Sequence, residues 1–151
     1  METIDHTTQN PVLNVLSGFY KNASVGAHSI SRLLPEVEDM KLRRELFRQR
    51  DYYEAQKKQL RSQMADIFLE PLESGKAAQY WTDLVIQAKA RCGMMTTATA
   101  AKLMVEGTNM GMVQIHQVLN HNPNIPDDLK EQGDRILAHE KQYLDCITPY
   151  L

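Results

Sequence analysis

The chain has 151 residues, 42% hydrophobic and 24% charged, with a formal charge of -2. That composition suits one globular domain with a real core and argues against disorder; the charge gives no bulk drive toward DNA or acidic membranes. Two cysteines, Cys92 and Cys146, are too few for a disulfide framework and too far apart for a zinc knuckle, so a reducing cytoplasm is the expected location. No signal peptide or membrane-spanning apolar run stands out, and neither GxGxxG nor GxxxxGK[ST] occurs.

Residues 1–9 are polar and aperiodic and read as a loose tail, leaving 10–151 as a single helical domain. Asn10-Pro11 predicts a helix start, with a capping side chain followed by proline where its missing N–H costs nothing. Val12, Leu16, Phe19, Ala23, Ala27, Ile30 and Leu34 then recur three and four apart, defining one helix face that ends at Pro35. After the short link Pro35 to Asp39, a second helix carries Leu42, Leu46, Tyr53, Leu60, Met64 and Ile67 on one stripe. So short a link makes the two helices antiparallel neighbours. A connector from Glu70 to Lys76 follows, with Ser74-Gly75 as its turn.

From Ala77 to Asn120 no proline interrupts the chain, yet one helix there would be roughly 66 Å long against about 36 to 45 Å for its partners. The break is expected at Cys92 to Thr97, where Gly93 and two threonines weaken the helix and Thr96 can cap a new start. This predicts a short helix, about 77–91, with Trp81, Leu84, Val85 and Ala88 inward, and a longer one from about 97 to 120. A last helix begins near Pro126-Asp127-Asp128 and runs to Ile147, burying Leu129, Ile136, Leu137, Tyr143 and Leu144. No period-two pattern survives. The chain reads as all-α.

Helix 97–120 carries few charges, and opposite its main stripe of Ala101, Met104, Thr108, Met112, Ile115 and Leu119 it shows Leu103 and Met110. A helix apolar on two sides is usually covered on both. The cover is either helix 77–91 or a second copy of the chain, with Gly107 and Gly111 permitting close approach.

Glu140 falls in the middle of the last helix's apolar stripe, where a carboxylate is costly unless paired, hydrogen-bonded, metal-bound or protonated. Gln49, Tyr53 and Gln56 lie on the stripe of the second helix, with Tyr20 and Ser24 at the edge of the first. Counting from hairpins centred at residues 36–37 and 123 sets Tyr53 beside Tyr20, Gln49 beside Ser24, and Glu140 beside Glu106 and one step from Thr108. These residues therefore predict a polar layer that fixes helix register. The alternative is a mononuclear divalent-metal or small-ligand site made by Glu140 with His139, His116 or Tyr53.

Helix 40–66 is net basic, and Arg43, Arg50, Lys57 and Arg61 could meet a phosphate backbone or an acidic partner. The plainer reading is a solvated face, since no aromatic residue interleaves with those cations. Nucleophilic catalysis finds no serine elbow and no base placed for either cysteine.

The stretch from Lys21-Asn22-Ala23-Ser24-Val25-Gly26 through Leu42-Arg43-Arg44-Glu45-Leu46 to Tyr53-Glu54 is similar to the first hairpin of small bacterial ferritin-like proteins, including the spore-coat-F type. Glu106-Gly107-Thr108-Asn109-Met110-Gly111 resembles a segment of short bacterial proteins of this length. The resemblance implies a ferritin-like up-down four-helix bundle, with the short helix 77–91 as an addition in the crossover. Iron-handling members of that superfamily use inward carboxylates from four helices, two of them in Glu-x-x-His pairs. Here no Asp or Glu lies between Pro11 and Leu34, and no glutamate has a histidine three residues later. The expectation is a non-enzymatic structural or interaction protein, homo-oligomeric, without a di-iron centre or other cofactor.

Overall fold

The computed structural model describes residues 10–66, Asp83 and 95–151. The expected tail 1–9, Ile67, the connector 70–76, the short helix 77–91 (Asp83 apart) and Cys92 lie outside the described residues. Among the described residues there are four α-helices and no strand, so the all-α expectation holds there.

Helix α1 (Pro11–Leu33) begins as its sequence demands: the Asn10 side chain accepts the Leu13 N–H at 3.1 Å, and Pro11 occupies the first helical position. The chain then tightens into a 3₁₀ turn, Leu34–Glu36, because Pro35 cannot continue the α-helical ladder. Asp39 starts α2 (Met40–Asp66) by accepting the Leu42 N–H at 2.8 Å. Thr96 starts α3 (Thr97–His121) by accepting the Thr99 N–H at 3.1 Å. Helix α4 (Asp127–Ile147) places Asp127 and Asp128 in its first turn, where the helix dipole favours them. No helix among the described residues is long and apolar enough to cross a membrane.

The predicted stripes are buried almost throughout. Two apolar clusters result, one around Leu33, Leu42, Leu46, Ala101 and Ile147, the other around Phe19, Leu60, Met64, Ile115 and Ile136. Between them lies a polar level containing Asn22, Gln49 and Glu140.

Both hairpins are registered differently from the simple count. Tyr20 receives hydrogen bonds from Arg61 at 3.1 and 2.7 Å, while Tyr53 lies against Gly26. The turn is longer than a centre at 36–37 assumes, since the 3₁₀ segment and the Val37–Asp39 link add chain before α2 starts. Tyr20 thus belongs to the second apolar cluster and is not level with Tyr53. At the other hairpin, Gly133 meets Leu119, and Gly111 meets Asn22, the residue that contacts Glu140. Glu140 therefore stands near Gly111, not level with Glu106 or Thr108, because the loop 122–126 moves the turn toward α4.

Candidate functional site

A glutamate on an apolar stripe needs donors, and three converge on Glu140 from two other helices. Asn22 Nδ2 on α1 donates to one carboxylate oxygen at 3.3 Å. Gln49 Nε2 and the Tyr53 hydroxyl on α2 donate to the other at 3.3 and 2.8 Å. Glu140 is 1% exposed, and among the described residues it is the one buried charged side chain. Burial pushes its carboxyl up to about 7, opposed by the hydrogen bonds from Tyr53 and Asn22. Near neutral pH the site thus holds a carboxyl poised between its two protonation states.

The network runs outward from Gln49. With its Nε2 committed to Glu140, its Oε1 accepts from His139 Nε2 at 3.0 Å, which fixes the histidine tautomer. The imidazole is half-buried, stacks on Tyr52 with centroids 3.4 Å apart, and has its pKa lowered by burial. The Tyr52 phenol is raised to about 12 by burial and by the Glu140 carboxylate. Tyr53 is raised well above its ordinary value for the same two reasons, desolvation first. Both phenols stay protonated; Tyr53 donates to Glu140, while the Tyr52 oxygen accepts from Gln56.

Gly26 makes room for this arrangement. An alanine Cβ there would stand 2.7 Å from the Cδ2 and Cζ atoms of the Tyr53 ring. Tyr53 can lie across α1 and reach Glu140 only because that Cβ is missing. Gly26→Ala should therefore destabilise the protein by about 2 kcal/mol, although alanine is the better helix former. Urea denaturation checks this, and an unchanged midpoint would mean that the ring relocates freely.

Of the residues expected in the polar layer, Tyr53, Gln49 and Glu140 come together. Tyr20 is held by Arg61 at another level. Gln56 is buried, but its amide donates weakly to Tyr52 at 3.5 Å and its carbonyl oxygen has no partner among the described residues. The Ser24 hydroxyl is likewise unpartnered, and Thr108 is buried without a bond to Glu140. Asn22, which pattern reading missed, takes the place that Ser24 was expected to fill. Asparagine in a helix interior beside an apolar stripe was the available signal.

Of the residues named for the alternative mononuclear site, the structure brings Tyr53 to Glu140 but neither His116 nor His139. His116 is exposed on α3, one turn past the level of Glu140, and His139 turns outward to Tyr52 and Gln49. Among the described residues, no three His, Cys, Asp or Glu side chains gather as metal ligands. The carboxylate oxygens of Glu140 accept from Asn22, Gln49 and Tyr53, and among the described residues no second buried acid stands with it. This donor set does not fit a di-iron centre.

Of the residues named as interface candidates, Leu103 is only 7% exposed and packs in the first apolar cluster. Gly111 makes its close approach to Asn22 of the same chain. Met110 remains 41% exposed and Val113 55% exposed.

The cations proposed for a phosphate backbone are largely engaged within the chain. Arg43 donates to the Leu34 and Val37 carbonyls at 3.2 and 3.1 Å, Lys57 lies 3.8 Å from Glu54, and Arg61 holds Tyr20. Contrary to the sequence reading, an aromatic does interleave: half-exposed Phe47 lies under Arg43 and Arg50, 5.9 and 4.8 Å from their guanidinium carbons. Stacking there occupies Arg50 as well.

A second feature lies next to the carboxylate. Between α1 and α3 lies a solvent-open cleft of about 270 Å³, lined in part by Val25, Ile30, Met104, Gly107 and Met110, with Tyr53 and Tyr143 at its wall. No protein-family model, curated protein or solved structure matches this chain.

Proposed function

We propose that the protein is a non-enzymatic scaffold with a ferritin-like up-down bundle, in which buried polar contacts hold the helices in register and an outer face serves association with further copies. The observation that carries this reading is the convergence on Glu140 of three hydrogen bonds, from Asn22, Gln49 and Tyr53. A carboxylate so engaged ties three helices at one level.

Further contacts of the same kind support it. Gln63 and Gln132 exchange two amide hydrogen bonds at 2.9 Å between α2 and α4, and Asn14 donates to Asn122 at 3.2 Å. The order of contacts also favours a ferritin-like layout. Residue numbers rise on α1 as they fall on α2 (Gly26 with Tyr53, Tyr20 with Arg61) and on α3 (Gly18 with Val118, Asn22 with Gly111). That makes α2 and α3 parallel, which a long crossover must join. Exposed Met110 and Val113 on α3 favour self-association there, and the exposed free thiol of Cys146 suits a reducing cytoplasm.

The test replaces the layer as a unit: Asn22→Leu, Gln49→Leu and Glu140→Leu with Tyr53→Phe. Stability should hold or rise, because an apolar layer avoids the desolvation of a charge. Register should suffer, seen as broadened or doubled amide resonances. A single sharp spectrum from the apolar variant would overturn the register role. Stoichiometric iron, manganese or zinc in protein purified without a tag, lost on Glu140→Ala, would overturn the scaffold reading altogether.

A further inference from the structure

A protonated carboxyl asks something different of its neighbours from an ionised one. Ionised Glu140 is served by donors: Asn22 Nδ2 on one oxygen, Gln49 Nε2 and the Tyr53 hydroxyl on the other. A proton added to that carboxyl makes it a donor in turn, and a buried O–H needs an acceptor. Burial places the exchange of that proton at about pH 7, so both forms occur under ordinary conditions.

Two amides can supply the acceptor by turning half round, which swaps nitrogen for oxygen at almost unchanged shape. Asn22 is badly placed to do so. Its Oδ1 rests against Gly111, at the point a Cβ would occupy, and an NH2 group there would press its hydrogens on the Gly111 backbone. Gln49 is well placed. Its Oε1 accepts from His139 Nε2 at 3.0 Å, and a neutral imidazole can carry its proton on either nitrogen. His139 Nδ1 bonds no described residue and is not shut off from solvent. The ring lines a groove between α2 and α4 together with Gln59, Gln132 and Arg135.

We propose that Gln49 is a reversible relay that carries the protonation state of buried Glu140 to the surface as the tautomer of His139. With Glu140 ionised, every N–H points inward: His139 Nε2–H to the Gln49 oxygen, and the Gln49 amide N–H to the carboxylate. With Glu140 protonated the direction reverses. The carboxyl O–H donates to the Gln49 oxygen, the Gln49 N–H donates to a bare His139 Nε2, and the ring proton stands on Nδ1. The imidazole stays neutral in both forms, so only the Glu140 proton is gained or lost. The groove meets an acceptor at Nδ1 in the first form and a donor in the second. The relay rests on the contacts of Glu140 and not on self-association of the bundle.

The other titratable groups around Glu140 hold their state. Tyr52 and Tyr53 on α2 and Tyr143 on α4 are raised by burial first and then by Glu140 itself, so all three phenols keep their protons. The charges of Glu45 and Cys146 act on Tyr143. The one titratable side chain buried on α1 is Tyr20, held by Arg61 in the second apolar cluster, and none of the buried residues of α3 titrates.

Long-range proton–nitrogen NMR correlation on the full chain tests the relay, with the Glu140 carboxyl carbon followed in parallel from about pH 8.5 to about pH 6. His139 should begin as the Nε2–H tautomer. Its Nε2 should then move toward the frequency of a bare nitrogen with the same midpoint as the carboxyl, a movement that protonation to imidazolium cannot produce. In Gln49→Met, which removes both amide groups, Nε2 should no longer follow Glu140. If that variant fails to fold, Glu140→Gln serves instead, and its His139 should keep one tautomer across the range. An Nε2 that retains its proton while Glu140 titrates would overturn the relay, since the proton then has another acceptor. So would a tautomer change that persists in either variant, or a Glu140 carboxyl that does not titrate in this range.

Discussion

Glu140→Ala should lower the unfolding free energy by about 3 kcal/mol at neutral pH. The substitution removes the common acceptor of Asn22, Gln49 and Tyr53, all buried, and leaves three donors facing a void. Glu140→Gln is the informative companion. It keeps the shape and one acceptor oxygen, so the Tyr53 bond survives and the loss should be about 1 kcal/mol. Guanidinium or urea unfolding of the two variants measures the difference. Equal effects would mean that the second carboxylate oxygen, which both variants lack, carries the stabilisation, and that neither the retained acceptor nor the side-chain volume contributes.

Stability should also fall as pH rises from about 4.5 to about 7, an unusual direction for a carboxylate. The folded protein holds the Glu140 proton up to about 7, whereas the unfolded chain releases it near 4.5. Between those values the folded state binds more protons, so the stabilisation is fully present below the lower value and lost as pH passes the upper one. The difference is worth about 3 kcal/mol. His139 works in the opposite sense: burial lowers its pKa, so its contribution is lost as pH falls below its ordinary range near 6.5. Subtracting the pH profile of Glu140→Gln from that of the wild-type protein isolates the carboxyl, since His139 is common to both. A flat difference between pH 5 and 8 would show that Glu140 is solvated in the folded protein.

The elements themselves were legible because their signals are local. Asn10 with Pro11, Thr96 and the paired acids at 127–128 act within a turn of where they stand, and the three-and-four spacing needs only one helix to be seen. The buried position of Glu140 was legible for the same reason: one helix's stripe contains it. Its partners were less so. Gln49 and Tyr53 lie on a stripe that pointed to them, as it did to Gln56, which bonds Tyr52 instead; Asn22 does not, and Tyr20 and Ser24 were set level with the layer by a hairpin count that is wrong by more than a turn. Loop conformation decides that count, and a 3₁₀ turn followed by an extended link cannot be measured from residue number alone.

Sequence sufficed for what each helix needs by itself: where it starts and stops, which face it buries, and that a lone carboxylate falls on that face without a second acid for a metal pair. Tertiary structure decided everything that depends on two helices at once. It set which donors reach Glu140, turned His116 and His139 away from it, buried Leu103, and opened a space between α1 and α3 beside the Tyr143 ring. The reason is geometric. A shift of one residue along a helix rotates a side chain by about 100° and moves it about 1.5 Å, so small differences in loop length reassign every contact across the interior while leaving each helix's own pattern intact.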